Sequence, residues 1–200
     1  MRVLVACEFS GVVRDAFLRR GHDAWSCDLL PSDAGSERHL LGPVEDVLPE
    51  HALECEWDML IAFPPCTYLC SSGLHWNHRI PGRAAQTERA LEFVRTLLDA
   101  PIPRIALENP VGCISTRITK PTQTIQPWQF GHPESKRTCL WLKGLPPLEP
   151  TDVLPLPESG RWSNQTPSGQ NKLGPTSDRW KLRSVTYRGI AAAMADQWGG

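Results

Sequence analysis

Arg2-Val3-Leu4-Val5-Ala6-Cys7-Glu8-Phe9-Ser10-Gly11, leading into an amphipathic stretch at 12–20 that Gly21 stops, is the run whose reading decides the fold. Its first six residues are apolar or β-branched enough for a buried strand, the Ser-Gly pair suits a tight turn, and the following spacing predicts a helix. Residues 22–27 read as a second strand that ends at Asp28. A strand, a helix and a strand packed into so short a stretch favour a right-handed parallel crossover, and so predict a doubly wound α/β sheet.

The alternation continues outward: residues 57–63 read as a strand, 83–100 as a helix, 104–107 and 138–142 as strands, and 187–198 as a helix. Residues 143–182 differ, with repeated proline, serine and glycine and little periodicity, and they predict a long loop or a small irregular cap. The expectation is a single domain over 1–200 with this insertion inside it, and 40% apolar content is enough to give it a core.

A formal net charge of −1 provides no global basic field, so any nucleic-acid binding must rest on a local patch. Seven cysteines are an odd number, and Met1 to Cys7 lacks the apolar segment and cleavage site of a signal peptide. Free thiols in a reducing cytoplasm are expected. No run approaches the roughly 20 apolar residues of a membrane span, so no membrane partner is expected.

Open α/β sheets bind ligands at the carboxyl ends of their strands. At the first such end, Glu8-Phe9-Ser10-Gly11 lets a ligand approach the backbone and offers helix amides to polar or anionic groups. At the second, Asp28 follows Gly11 at close to the spacing of about 20 residues at which dinucleotide-binding domains place an acid on ribose hydroxyls. At the third, Phe63-Pro64-Pro65-Cys66-Thr67 sets a thiol on a proline-stiffened turn, and at the fourth Glu108-Asn109-Pro110 brings a carboxylate to the neighbouring strand end. Cys66 has three readings: a small buried hydrophobe, a zinc ligand with Cys70, His75 and His78, or a nucleophile. The short inner gap of the zinc set matches no closed structural site, and no metal is expected.

In order along the chain, Phe9-Ser10-Gly11, Phe63-Pro64-Pro65-Cys66, Glu108-Asn109-Pro110 and Lys136-Arg137-Thr138 resemble the landmarks of the carbon-5 cytosine DNA methyltransferases. In that family they are the cofactor turn, the Pro-Cys nucleophile loop, the Glu-Asn strand end and the basic segment before a strand. The resemblance implies a Rossmann-like methyltransferase domain that uses S-adenosylmethionine and acts on cytosine in DNA. It further implies that Cys66 attacks carbon 6 and that Glu108 donates at ring nitrogen 3. Asn109 would hold the nearby loop and Arg137 would contact the pyrimidine oxygen. Phe9, Ser10, Gly11 and Pro64 would form the cofactor side, with Asp28 on the ribose and Asp46 on the adenine amino group, although Asp46 also suits a helix N-cap. Thr67, His75, Lys136 and Arg179 are the expected substrate contacts.

Several positions depart from that pattern. Val13 stands at the second glycine, Thr67 at the usual glutamine and Pro110 at the usual valine, while residues 143–182 occupy the place of a target-recognition domain. Arg161-Trp162-Ser163-Asn164, Gln170-Asn171-Lys172 and Arg179-Trp180-Lys181 mix cations, amides and aromatics, as a surface that contacts phosphates and stacks on bases would; the alternative is a loop pinned to the core by its tryptophans. The chain looks like a compact, monomeric, phage-encoded enzyme. The alternatives are the same chemistry on RNA or a free pyrimidine nucleotide, and a non-catalytic nucleic-acid-binding protein. The amino-directed methyltransferases are a poorer match, because Phe63 and Cys66 supply neither the polar nor the aromatic end of their Pro-Pro loop.

Overall fold

A computed structural model describes residues 1–200 except 52, 54, 169, 170, 175, 177 and 178. The chain runs β1 (Arg2–Ala6), α1 (Val12–Arg19), β2 (Asp23–Asp28), β3 (His39–Leu41), β4 (Met59–Ala62), α2 (Ser71–Leu74), α3 (Arg83–Asp99), β5 (Arg104–Pro110), α4 (Ile114–Arg117), β6 (Gln123–Ile125), β7 (Thr138–Lys143), α5 (Arg179–Ser184) and α6 (Arg188–Trp198). The strands form one sheet in the order β3-β2-β1-β4-β5-β7-β6. β1 pairs in parallel with β2 and β4, and β4 with β5, whereas β7 runs antiparallel to both β5 and β6. The order reverses at β1, which creates the switch point where open sheets bind ligands. This is a Rossmann-like, doubly wound, mostly parallel sheet.

Continuous apolar runs explain the central strands, since a strand covered on both faces has no polar side. Val3, Leu4, Val5 and Ala6 of β1 and all four residues of β4 are buried. Alternate side chains feed two cores: Val3, Val5, Met59 and Ile61 meet Phe17 of α1 and Met194 and Trp198 of α6 on one face. Leu4, Leu60, Ile105 and Leu107 meet Leu91, Val94 and Leu97 of α3 on the other. No helix among the described residues is long and apolar enough to cross a membrane.

Strand pairing extends β5 three residues beyond the expected end at Leu107, because Glu108, Asn109 and Pro110 pair with Leu140, Cys139 and Thr138 of β7. Pairing with a neighbour recruits polar residues that apolar patterning alone assigns to a loop. The irregular span gives way to helix α5 at Arg179. Before that helix, it is stapled to the body by the parallel stack of Trp162 on Trp128 and by hydrogen bonds between Asn164 and Ser135.

Candidate active site

The end of β4 is fixed before its chemistry begins. The Phe63 amide donates to the Ala6 carbonyl at 3.0 Å, which ties the proline turn to β1. Pro65 then caps a single 3-10 turn over Cys66–Tyr68. Ala62 is in register with Leu107, so Glu108 and Asn109 stand beside the start of that turn. Asn109, buried, donates its Nδ2 to the Pro64 carbonyl at 2.7 Å.

A second set of bonds holds the far side of the Cys66 loop. Leu69 accepts from the Cys113 amide at 2.8 Å, Val111 accepts from the Ser71 amide at 3.0 Å, and Cys70 and Gly112 form an isolated bridge. Gly112 is required there, because a Cβ would collide with the Leu69 carbonyl.

Glu108 faces a cavity of only about 20 Å³, shared with Phe63, Lys136, Thr138, Thr186 and Tyr187. Burial pushes its carboxyl above the usual carboxylate range, against the pull of the Lys136 ammonium and a hydrogen bond from Thr138. Lys136, not Arg137, therefore meets Glu108. Arg137 is exposed, because alternate residues entering β7 point to opposite sides and 136 and 138 take the cavity side. The Lys136 Nζ also donates to the Arg183 carbonyl at 2.9 Å, drawing the end of α5 over the site.

Cys66 is half-buried with Cys70 hydrogen-bonded beside it. The pair shares its proton unequally: the Ser72 hydroxyl, the Gly73 amide and Arg183 add to the Cys66 hydrogen bond in favouring a Cys70 thiolate. The Cys66 thiol is held well above its ordinary range by that same bond, then by burial and the negative charge of Cys70. Thr67 is exposed, and its carbonyl accepts from Arg83 at 3.0 Å. His75 is exposed and its ring lies 4.8 Å from Trp76. Among the described residues no three His, Cys, Asp or Glu side chains gather as a metal site would require, so Cys66, Cys70, His75 and His78 do not form one.

Across β4 lies a larger cavity of about 380 Å³, lined by Cys7, Asp28, Glu45, Pro64, Tyr68 and Phe93 among others. That volume falls in the roughly 300–1,000 Å³ range of small-molecule sites. Burial raises the Asp28 carboxyl, while the Leu30 amide donates to it at 2.9 Å. Cys7 adopts a φ of 58°, a left-handed conformation that a non-glycine residue rarely holds outside functional or tightly constrained sites.

Two cofactor-side expectations meet different neighbours. Glu45 lines the cavity, whereas Asp46 is exposed beside it; Pro43 occupies the N-cap of its 3-10 turn, so Asp46 does not cap it either. Phe9 is buried outside the cavity, against Trp180 at 6.0 Å and the Lys181 ammonium at 5.4 Å. Gly11 holds φ 73° at the start of α1, with Ser10 half-buried next to it. The helix amides there are already engaged: Glu8 accepts from Val13 at 2.7 Å and from Arg14 at 3.2 Å. Arg179 is half-buried at the start of α5. Gln170 lies outside the described residues.

Sequence reasoning passed over Glu45, Gly112, Arg183 and Tyr187, and weighed Cys70 only as a zinc ligand. Gly112, just past Glu108-Asn109-Pro110, and the four-residue step from Cys66 to Cys70 were the available signals.

The chain matches no protein-family profile and no curated protein. Among solved structures it is similar to a candidate DNA modification methyltransferase encoded within an E. coli prophage, with a TM-score of 0.50 and 13% sequence identity. The match covers 78% of this chain and 52% of that one, so the chain spans about half the length of its structural relative. The likeness shows the fold alone, a Rossmann-like α/β sheet.

Proposed function

We propose that the protein is an S-adenosylmethionine-dependent methyltransferase acting on carbon 5 of cytosine in DNA. The observation that carries this reading is the placement of Cys66 and Glu108 at adjacent strand ends, locked by the 2.7 Å bond from Asn109 to Pro64. A carboxylate-lined cavity adjoins them across Pro64.

The residues around that cavity suit a nucleoside. Asp28 and Glu45 offer acceptors for ribose hydroxyls and an exocyclic amine, Phe93 and Pro64 offer apolar surface, and the carboxylates match a cationic sulfonium centre. When bound, S-adenosylmethionine supplies an electrophilic methyl group. Cys66 adds to carbon 6 of the ring, and protonated Glu108 donates at nitrogen 3, which drives electron density to carbon 5. The raised Glu108 pKa keeps that donor protonated closer to neutrality than an ordinary glutamate. Lys136, which neighbours Glu108, is the cation best placed to contact the pyrimidine oxygen.

The test is methyl transfer from labelled cofactor to duplex DNA, RNA and dCMP, with bisulfite sequencing of the DNA product. DNA labelling lost in Cys66→Ala, with cofactor binding kept in calorimetry, is the expected result. Full activity in that variant sinks the covalent mechanism. Labelling of RNA or dCMP alone transfers the chemistry to those substrates, and absence of cofactor binding favours a binding protein.

A further inference from the structure

The cavity of about 380 Å³ carries charge on two walls, and the two charges are opposite. Asp28, where β2 ends, and Glu45, in the turn that follows β3, supply its carboxylates. Gln86, Arg89, Ala90 and Phe93 of α3 line another wall, at the i, i+3, i+4, i+7 spacing that aligns side chains on one face of a helix. That stripe is apolar at Phe93 and Ala90 and polar toward the helix N-terminus, at Arg89 and Gln86. The polar end adjoins the Cys66 turn, because the Thr87 hydroxyl donates to the Tyr68 carbonyl and Arg83 to the Thr67 carbonyl, each at 3.0 Å. That turn follows β4, and β1 lies between β4 and β2, so the acids and Arg89 stand on opposite sides of β1.

Arg89 is the one cation that lines this cavity among the described residues, and no side chain among them pairs with it. Glu88, its neighbour in the helix, is taken by Arg117 at 2.9 Å. An uncompensated guanidinium beside a nucleoside-sized cavity is set to receive an anion. The other place where an anion could dock, the turn into α1, is already filled. Glu8, 4% exposed, accepts the Val13 and Arg14 amides. The Arg14 guanidinium, itself buried, donates to Ser26 and Asp15 and occupies the space that a Cβ on Gly11 would need. The protein's own carboxylate sits where a ligand's would.

We propose that Arg89 holds the carboxylate of the cofactor's amino-acid tail and so makes the site selective for nucleosides that carry one. The inference rests on the S-adenosylmethionine reading above, but not on which base is methylated. A nucleoside with such a tail meets both charged walls at once: its ribose hydroxyls and adenine amine at Asp28 and Glu45, and its tail at α3. Arg89 offers a planar fork of N–H donors that matches a carboxylate in two parallel hydrogen bonds. Gln86, one turn earlier on the same stripe, brings a side-chain carbonyl that can accept from the tail's ammonium. Arg89 touches none of the reacting atoms, so its effect falls on cofactor affinity.

The test is calorimetry of S-adenosylmethionine, S-adenosylhomocysteine and decarboxylated S-adenosylmethionine on the native protein, Arg89→Ala and Arg89→Lys, without DNA. In Arg89→Ala the two nucleosides with a carboxylate should each bind roughly 10- to 100-fold more weakly, the loss expected for hydrogen bonds to a charged group. The decarboxylated compound should bind that variant as it binds the native protein. Arg89→Lys, which keeps the charge and loses the fork, should recover part of the affinity. Native affinity for S-adenosylmethionine in Arg89→Ala overturns the proposal. So does an equal weakening of all three compounds, which marks a residue that only shapes the cavity. A native protein that binds none of them overturns the cofactor reading itself, and the proposal with it.

Discussion

Glu108 illustrates how one carboxyl can be set for acid chemistry by position alone. Its neighbours Lys136 and Thr138 favour the anion, yet burial outweighs them and the pKa rises. Methyl transfer should therefore fall as pH climbs through that raised value and Glu108 loses its proton. Glu108→Gln should lower kcat by roughly 10²–10⁴-fold and flatten this alkaline limb, read in a pH series of initial rates. Asn109 is a different kind of residue: it joins β5 to the Cys66 turn through one buried bond. Asn109→Ala leaves the Pro64 carbonyl without that donor and should cost about 1–3 kcal/mol in denaturant unfolding. The roles of Lys136 and Arg137 were not separable in sequence. Both are basic and adjacent, and only the side-to-side alternation at the start of β7 decides which one reaches Glu108.

At the scale of elements, the N-terminus of α1 is capped from within. Glu8 accepts two helix amides, and burial pushes its pKa up to about 7 from an ordinary 4.5. Because the folded pKa is raised, the folded state binds the proton more tightly than the unfolded chain. The resulting stabilisation is complete below pH 4.5 and is lost as pH rises through about 7. The loss amounts to roughly 3 kcal/mol at most. Glu8→Gln, which keeps one acceptor oxygen, should flatten the stability profile over that window in urea titrations. Gly112→Ala should open the seam between the Cys66 loop and the segment after β5, lowering the melting temperature and methyl transfer together.

The elements legible in sequence were those that bury a continuous apolar run or a full helical face: β1, α1, β2, β4, α3, β5, β7 and α6. β3 and β6 were not, since each has only three residues and little buried surface. They exist because an adjacent strand offers hydrogen bonds. The α5 helix was hidden in a proline-rich and glycine-rich stretch that breaks any period. At the site, strand ends placed Cys66 and Glu108 near each other. The partners that tune them, Cys70 and Arg183, depend on a turn geometry and a distant helix that local spacing does not encode.

The molecule as a whole carries almost no net charge, so contact with a polyanion must come from a restricted patch. Trp76 and Trp180 are 42% and 55% exposed, Arg79 lies over the Trp76 ring, and both tryptophans stand beyond the carboxyl ends of the parallel strands. Trp180→Ala should weaken DNA binding by roughly 5- to 100-fold in fluorescence anisotropy, the range expected for a lost base-stacking platform. Trp162→Ala should act elsewhere, because that ring is buried on Trp128: the expected loss is about 3–5 kcal/mol of stability.

The tight space beside Glu108 carries a last consequence. About 20 Å³ accommodates a water molecule and no aromatic ring. For the proposed pyrimidine to reach the acid, Thr186 and Tyr187 would have to lift, and the Lys136 bond to Arg183 would have to yield with them. Apparent affinity is then the intrinsic affinity scaled by the fraction of molecules already open. On the proposed cytosine reading, bases that are mispaired, unpaired or at strand ends should be methylated faster than those in perfect duplex, because only they wait outside the helix for as long as the doorway takes to open.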